Sequence, residues 1–385
     1  MKLFLLALGL LIGRAALAEF PSSNEHGVVK AYDKAPEDVI FQMFCQFYSP
    51  QMELILRFPY LMCKNVRMQE RRFFFFRRDV SRWLVMDGGW IGLLDSAGAL
   101  IWKVEGNFSH DITWDEKKRE IIAIEDKLHS VADTQYMFAH INRYSPTGEL
   151  IRSWSSFEHL EELSKFGSWR DFNGQFKVPV SSRMKKHDVV LGANFVQVLD
   201  HDWRASDDLL IPKGTLLVYF RALGVLFFFD HEMKIIWSFD FNTNPKPERH
   251  FDIHTPILKY PKEIIAFLNV LNVDDGGHSG VVSFSTGPSM ARKMIYKVPT
   301  YYEGQAIENG SFGSVQILSD DSLLISTGSS YGGIVHIDKD GHELFSWLNP
   351  VKSTTASGVE FPKPIYRIYQ RPQSIWKSVS DLLSL

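Results

Sequence analysis

Two histidines and one arginine are the residues of this chain best suited to chemistry on a small anion. Arg221 ends the apolar run from Thr215 to Phe220, and an arginine in such a run is costly unless it meets an anion or water. His110 and His254 each open a short apolar run. Arginine offers a planar fork to a sulfate, phosphate or carboxylate group, and a neutral histidine can act as nucleophile or general acid/base. If the three side chains meet, they predict transfer of an anionic group without a metal.

Each of these residues also has a structural interpretation. His110 and His254 are alternatively histidines bonded to the backbone, and Arg221 alternatively forms an internal salt bridge, for example to Asp252. Asn194 and Ser314 open two further runs and are predicted to contact a ligand, although Asn194 also suits a turn or strand cap. The remaining loop histidines are predicted to lie at the surface: His129, His140, His159, His231, His336 and His342.

The elements that must position these residues form a repeat. From about residue 80, an apolar run, an Asp or Ser turn and a second apolar run recur, and the second run ends in an aromatic residue. The residues that end the run are Trp102, Trp154, Trp237, Tyr296 and Trp347. Such runs predict antiparallel hairpins whose aromatic residues pack between neighbouring units. A period of roughly 50 residues, with four short strands each, is typical of propeller blades.

Five units are clear, and a sixth is assembled from strands near 73–85 and 364–369. The predicted fold class is therefore all-β, a six-bladed β-propeller in which the two ends of the chain pair and leave no long free edge. Innermost strands of a propeller line a central channel. His110, Asn194, His254 and Ser314 are expected to open inner strands, and Arg221 is expected to end another.

The chain is predicted to have four parts. Residues 1–18 read as a secretory signal peptide, with Lys2, an apolar run and Ala16-Leu17-Ala18 before Glu19. The apolar run is too short to span a bilayer, and the alternative is an uncleaved anchor. Residues 19–70 form an N-terminal arm, partly helical because Pro36-Glu37-Asp38 suits a first helical turn. Residues 71–372 form the propeller, with an insertion at about 156–191 that carries a helix over 158–165, and 373–385 form a C-terminal helix.

Charge and cysteine content narrow the possible partners. The chain has 42 Lys and Arg against 45 Asp and Glu, which gives no reason to expect nucleic acid. The run from Arg71 to Arg78 is basic and aromatic; it is either a solvated strand rim or a surface for a membrane or polyanion. Cys45 and Cys63 are either a disulfide of an exported protein or two buried thiols. No Cys/His cluster has zinc spacing, so neither a metal nor a cofactor is predicted, and no later segment is long and apolar enough to span a membrane.

Several of these stretches together resemble the bacterial arylsulfotransferase family. The resemblance covers roughly residues 80–372 and lies in these motifs: Ala193-Asn194-Phe195-Val196-Gln197-Val198-Leu199, Val218-Tyr219-Phe220-Arg221-Ala222-Leu223, His254-Thr255-Pro256, Gly313-Ser314-Val315-Gln316-Ile317-Leu318 and Ile365-Tyr366-Arg367. It implies a six-bladed, usually periplasmic propeller that moves a sulfuryl group from an aryl sulfate to a phenol through a sulfo-histidine. It further implies that His254 takes the sulfuryl group, Arg221 holds the sulfonate oxygens and His110 assists as acid/base or orienting group.

The chain departs from that family at several positions. Where the family often has a histidine, an aspartate and an arginine, this chain has Gly192, Thr255 and Gly280, and His187 in the insertion is a candidate to replace the missing histidine. The large N-terminal β-sandwich of some members is replaced by the short arm. The alternative function is a non-catalytic propeller that binds a small aromatic or anionic ligand or a protein partner. A quinone-cofactor propeller is a third interpretation, which the small number of blades disfavours.

Overall fold

Strands make up almost all of the regular structure. The computed structural model describes residues 28–30, 39–43, 46–48, 52, 54–57, 62–72, 76–87, 89–96, 98–131, 134–166, 189–241, 252–269, 279–287, 291–298, 301–302, 305–306, 313–328, 333–348, 352–354, 360–362 and 368–372. Predictions that concern residues 1–18, Cys45, His187 and the C-terminal helix lie outside these ranges. Within them, no helix is long and apolar enough to cross a membrane.

The N-terminal region is strand rather than helix. Its first four described strands are β1 (Val28–Lys30), β2 (Val39–Met43), β3 (Gln46–Tyr48) and β4 (Leu54–Arg57). The prediction of a partly helical arm is therefore wrong for these residues. The β-branched and aromatic residues of β2 suit a strand, but the strand that completes their sheet comes from the far end of the chain, so the local pattern does not reveal it.

The first two blades follow. The first has strands β5 (Met62–Arg72), β6 (Phe76–Asp87), β7 (Trp90–Leu94) and β8 (Leu100–Glu105). The second has β9 (Phe108–Asp115), β10 (Glu120–Val131), β11 (Thr134–Tyr144) and β12 (Leu150–Ser155). In each sheet consecutive strands are antiparallel neighbours. The first blade thus begins at Met62, within the stretch expected to be the arm.

The insertion after the second blade contains a short helix, α1 (Leu160–Leu163), inside the predicted range. It is followed by β13 (Val189–Val190), which pairs parallel to β11. The third blade has β14 (Ala193–Val198), β17 (Leu216–Phe220), β18 (Val225–Phe229) and β19 (Ile235–Asp240). Between β14 and β17 lies a small hairpin of β15 (Trp203–Arg204) and β16 (Leu210–Ile211).

The fourth blade has β20 (Asp252–Lys259), β21 (Glu263–Asn269), β22 (Gly280–Ser285) and β23 (Arg292–Lys297). A two-stranded hairpin, β24 (Tyr301–Tyr302) and β25 (Gln305–Ala306), precedes the fifth. The fifth blade has β26 (Ser314–Ile317), β27 (Leu323–Ser326), β28 (Gly333–Ile337) and β29 (Glu343–Leu348), and β1 pairs with β29. The last strands are β30 (Lys352–Thr354), β31 (Glu360–Pro362) and β32 (Ile368–Pro372).

The hydrophobic core lies between blades. One buried cluster joins the first and second blades through Leu84 and Ile112, and the next joins the second and third through Ile124 and Val218. Two more join the third to the fourth blade and the fourth to the fifth. Blades that pack side by side in chain order form a β-propeller. The predicted all-β propeller is confirmed, with five blades recognised where the sequence predicts six.

The two ends of the chain do pair, but not as predicted. β32 pairs with β2, from Val39 opposite Pro372 to Met43 opposite Ile368, and the four-stranded sheet runs β32-β2-β3-β4. The predicted partner near 73–85 is wrong, because that stretch lies in β6 of the first blade. We call the sheet β32-β2-β3-β4 the closing sheet.

The predicted hairpins between the two outer strands of the blades are confirmed. In the second blade, Ser145 N–H donates to the Glu149 carbonyl and Gly148 N–H to the Ser145 carbonyl. Gly148 has φ of +87°, a conformation that glycine adopts without strain. The aromatic residues pack between units as predicted: Trp102 Nε1 donates to the Pro146 carbonyl of the next blade at 2.8 Å, and the Trp154 ring lies 5.1 Å from that of Phe229.

The two sides of the ring differ in which end of the inner strands they carry. The start face is the side on which the inner strands begin, near residues 109–110, 192–193 and 253–254. The end face is the opposite side, with the turns at 116–119 and 260–262, where each inner strand ends and the second strand begins. Because neighbouring strands of a blade are antiparallel, the end of each second strand also lies at the start face.

Candidate functional site

A cavity of about 690 Å³ lies on the axis of the ring. The first strand of every blade contributes to its wall: Lys64, Asp111, Gln197, Ile257 and Gln316 come from β5, β9, β14, β20 and β26. Glu116 and His201 reach it near the end face. A cleft of this volume accommodates a small organic molecule. The inner strands are therefore the elements that bring distant parts of the sequence to one site.

A buried carboxylate ties three blades together at this cavity. The Asp111 side chain is fully buried; its Oδ2 accepts the N–H of Val196 in the third blade at 3.1 Å. Its Oδ1 lies 3.4 Å from Nζ of Lys64 in the first blade and accepts the N–H of Ile112. A buried carboxylate requires such partners. β14 pairs with β17 but with no strand on its channel side. The Val196 N–H therefore has no backbone acceptor there, and Asp111 supplies one.

The same arrangement recurs two blades further on. The hydroxyl of Thr255, in β20 of the fourth blade, accepts the N–H of Val315 in β26 of the fifth at 3.1 Å. Asp111 and Thr255 are therefore equivalent positions, and Val196 and Val315 are equivalent as well. Thr255 supplies the acceptor without the charge that Asp111 carries.

His110 and His254 each directly precede one of these acceptors. They hold equivalent positions at the starts of β9 and β20, in the second and fourth blades. His110 has φ of +60° and is half-buried, whereas His254 is only 4% exposed. Both are one residue nearer the start face than Asp111 and Thr255, and the cavity wall contains the acceptors rather than the histidines. The prediction that both open inner strands is confirmed.

Arg221 lies at the start face, but not on an inner strand. It follows β17, the second strand of the third blade, so the expectation that it ends an inner strand is wrong. Phe220 pairs with Ala193 at the start of β14, and Arg221 N–H donates to the Gly192 carbonyl at 3.1 Å. Gly192 has φ of +52°. Gly192 is therefore a direct backbone neighbour of Arg221.

Asn194 and Ser314 lie at the starts of their inner strands as predicted. Asn194 is buried beside a bulge in the pairing of β14 with β17. Ser314 is buried in the cavity wall, and its hydroxyl donates to Ser326 Oγ at 3.2 Å. Ser314 is therefore placed to meet a ligand in the cavity, while Asn194 is not part of the wall.

The sequence analysis missed several polar residues of the channel, among them Lys64, Gln197 and Gln316. Gln197 and Gln316 follow the equivalent residues Val196 and Val315, so they point into the cavity from the third and fifth blades. The two glutamines could have been predicted from the sequence, because each follows a valine at the same position of its repeat. Lys64 could not be found in this way, because the repeat is clear only from about residue 80 and Lys64 lies before it.

Gly280 lies where the backbone leaves no room for a side chain. It begins β22, and a Cβ atom at this position would overlap the carbonyl oxygen of Tyr296 on β23. The two strands pair at Gly280 opposite Lys297 and Val281 opposite Tyr296. No side chain fits there, so an arginine at this position requires a different backbone.

Two histidines predicted to be at the surface are buried. His140 and His336 are each 8% exposed, because each occupies the third strand of its blade on a face covered by neighbouring elements. His140 Nε2 lies 2.9 Å from His129 Nε2 and 3.2 Å from Ser155 Oγ. Burial lowers the pKa of His140 to about 4 and lowers that of His336. Both are neutral at pH 7, while His231 and His342 are exposed as predicted.

Two acidic residues lie on β10, the strand that pairs with the strand of His140 in the second blade. Glu125, opposite His140 in the ladder, accepts a hydrogen bond from Asn142 Nδ2 at 2.5 Å and lies 3.1 Å from Lys127 Nζ. Burial raises the pKa of the adjacent Asp126 to about 6. This cluster stands apart from the axial cavity. Among the described residues, no group of three or more His, Cys, Asp or Glu could hold a metal ion.

Comparisons with known proteins add little to this description. No family model matches the sequence, and no curated protein matches it. A protein of unknown function from Bacteroides caccae is similar in structure at 9% identity and a TM-score of 0.42, over 86% of this chain and all of that one. A catalytically inactive virginiamycin B lyase from Staphylococcus aureus, solved with quinupristin, matches at 9% identity and a TM-score of 0.37, over 79% of this chain and 88% of the lyase. Likenesses this distant support no functional argument, and the sheets and axial cavity by themselves define the chain as a β-propeller.

Proposed function

We propose that this propeller transfers a sulfuryl group from an aryl sulfate to a phenol at the start face of its channel, with His254 as the nucleophile. One observation carries the proposal. His110 and His254 hold equivalent positions, each directly before the side chain that accepts an inner-strand N–H from the next blade. The two imidazoles therefore belong to the same level of the ring, in the two blades on either side of the third.

Arg221 belongs to the blade between them and to the same face. Its backbone is held by Gly192 at the start of the inner strand. The planar guanidinium suits two oxygens of a sulfonate. In the transition state, charge grows on those oxygens, and a fixed cation there lowers the barrier. This is the role that the arylsulfotransferase resemblance assigns to Arg221.

The proposed reaction has two balanced steps. A nitrogen of neutral His254 attacks the sulfur of the aryl sulfate, the N–S bond forms and the S–O bond to the phenol breaks; the departing phenolate takes a proton from His110. The acceptor phenol then gives its proton to His110 while its oxygen attacks sulfur, and the N–S bond breaks. Histidine has a pKa near neutrality, which suits both roles.

The rest of the fold supports the proposal in two ways. The axial cavity is large enough for an aromatic molecule and is lined by Phe195 and Trp114 as well as by Gln197 and Gln316. The closing sheet would be the sixth blade of the family's ring, since β32 lies against β26 and β27 of the fifth. Export through residues 1–18 is part of the same proposal, and N-terminal sequencing of the mature protein should then begin at Glu19.

The test is transfer from 4-nitrophenyl sulfate to phenol, followed by release of 4-nitrophenol and formation of phenyl sulfate. Mass spectrometry of the protein after exposure to the donor alone should find one SO₃ on the peptide that contains His254. His254→Ala should abolish both signals, and His231→Ala, which changes an exposed histidine, should leave both intact. Absence of transfer by the wild type, or transfer that survives His254→Ala, would refute the proposal.

The second candidate is a non-catalytic propeller that binds a small aromatic anion. The observation that favours it is that the cavity wall contains Asp111 and Thr255, whereas His254 is almost fully buried. Calorimetry with phenyl sulfate separates the two candidates. Binding that is equal in the wild type and His254→Asn, without turnover by either protein, would support this second function.

A further inference from the structure

Two arginines of the second blade lie side by side and face the third blade. Arg143 on β11 is directly opposite Arg152 on β12 in the strand ladder. Arg143 Nε donates to Met233 Sδ in the third blade at 3.2 Å. Arg152 Nη1 donates to the His231 carbonyl of the same blade, also at 3.2 Å. Like charges directly opposite each other destabilise a strand pair, so this arrangement is costly unless negative groups lie beside it.

Three carboxylates offset the charge of the two arginines only in part. Glu120 accepts a hydrogen bond from Arg143 Nη1 at 2.8 Å, and Asp115 lies 3.5 Å from the same nitrogen. Glu232 of the third blade accepts one from Arg152 Nη1 at 2.5 Å. Arg143 Nη2 is buried and has no hydrogen-bond partner in the described part of the chain. Because the Arg143 side chain is only 2% exposed, such an unmatched charged donor is costly.

A cavity of about 110 Å³ lies at these two arginines, on the end face between the second and third blades. Its wall includes the exposed residues Lys118 and Ile151, so the cavity reaches the surface. Among the described residues, the wall carries Lys118 and the two arginines against two carboxylates, Glu120 and Glu232, which are already bonded to the arginines. A water molecule occupies about 30 Å³ in the liquid, so the cavity has room for a single small group.

We propose that this cavity binds a small oxyanion, a sulfate, phosphate or carboxylate group, at the Arg143–Arg152 pair. An oxygen of the anion accepts the unmatched Nη2 of Arg143, and its charge offsets the two adjacent guanidinium groups. Arginine suits such groups because its planar fork matches their oxygens. A water molecule could accept one N–H but would leave the charges of the pair uncompensated. This inference is independent of sulfuryl transfer, because the wall of this cavity and that of the axial cavity share no residue.

The experiment is equilibrium dialysis of the full-length protein against ³⁵S-labelled sulfate and, separately, ¹⁴C-labelled acetate at constant ionic strength. The wild type should retain at least one of them, and the one retained shows whether the site takes a tetrahedral or a planar group. Lys118→Glu reverses an exposed charge at the mouth and should weaken binding roughly fivefold or more. Arg143→Lys keeps the charge but loses the fork, and should lose binding. Because Arg143 is buried, circular dichroism checks that this variant folds, and Lys118→Glu tests the site if it does not.

The matched control is Lys117→Glu, which reverses an exposed charge in the same turn but outside the cavity wall. It should bind the anion as the wild type does. Sulfate held in the axial channel would respond instead to Arg221→Gln and not to Lys118→Glu. Retention of neither anion by the wild type would overturn the proposal. Equal losses in Lys117→Glu and Lys118→Glu, or a loss in Arg221→Gln alone, would overturn it as well.

Discussion

The carboxylate of Asp111 accepts the backbone N–H of Val196 at 3.1 Å, and so joins the inner strand of the second blade to that of the third. The same carboxylate meets the ammonium group of Lys64 from the first blade. One fully buried side chain thus connects three consecutive blades at the wall of the cavity.

Replacement of Asp111 should therefore destabilise the ring. Asp111→Ala leaves both the Val196 N–H and the Lys64 charge without this partner, and we expect a loss of about 3 kcal/mol in the free energy of unfolding. Asp111→Asn retains an oxygen for the N–H and should lose clearly less. Urea unfolding of the three proteins measures this, and an alanine variant as stable as the wild type would contradict the role given to Asp111.

Thr255 allows the same kind of hydrogen bond between inner strands to be tested without a charge. Thr255→Val preserves shape but removes the acceptor for Val315 N–H, so it should lower the free energy of unfolding by roughly 1–2 kcal/mol. Thr255→Ser keeps the hydroxyl and should be less affected. A Thr255→Val variant as stable as the wild type would show that this hydrogen bond contributes nothing to stability.

His140 and Asp126, both in the second blade, should change the stability of the protein in opposite directions as pH falls. Burial lowers the pKa of His140 to about 4, so between that value and its unfolded value near 6.5 the unfolded chain binds the extra proton, and stability falls as pH falls. Burial raises the pKa of Asp126 to about 6, so between about 3.8 and 6 the folded chain binds the extra proton, and stability rises as pH falls. Each contribution is about 3 kcal/mol at full extent.

Single variants separate these two contributions. His140→Asn should reduce the loss of stability on acidification from pH 7 to 4.5, and Asp126→Asn should increase it. Urea midpoints at several pH values measure the slopes. Identical slopes in the wild type and both variants would show that neither group titrates as its burial requires.

Gly280 should tolerate no side chain. Gly280→Ala places a Cβ atom against the Tyr296 carbonyl of the neighbouring strand, and the required separation of β22 from β23 should cost more than about 2 kcal/mol. Gly89→Ala is the control, since a Cβ atom there meets nothing within 4 Å. Thermal unfolding of both variants tests this, and a Gly280→Ala protein that melts with the wild type would show that the strands can separate freely.

Arg221 should be sensitive to the shape of its cation if it holds a sulfonate. Arg221→Lys keeps the charge but loses the planar fork, and kcat for sulfuryl transfer should fall by about 10²-fold or more with little change in stability. Arg204→Lys, in the same blade and bonded to the Asp207 carbonyl, should retain full activity. A fully active Arg221→Lys would remove Arg221 from the reaction.

Much of the fold follows from local pattern. Alternation of short apolar runs with Asp and Gly turns, as at Ser145–Gly148, requires hairpins, and their recurrence with a terminal tryptophan requires stacked blades. The same repeats place His110 and His254 at the starts of inner strands, because a position within a repeat fixes a position in the ring. The repeat therefore predicts the level of these residues in the ring, but it does not predict their chemistry.

The sequence by itself determined the strands and turns of the recurring units and the equivalence of His110 with His254, since these depend on residues close together in the chain. Tertiary structure alone decided that β2 pairs with β32, that Lys64 reaches Asp111 in the channel and that His140 is buried. Each of these depends on which distant strand lies alongside, and the free energy of that choice comes from packing and desolvation between segments that no local pattern brings together.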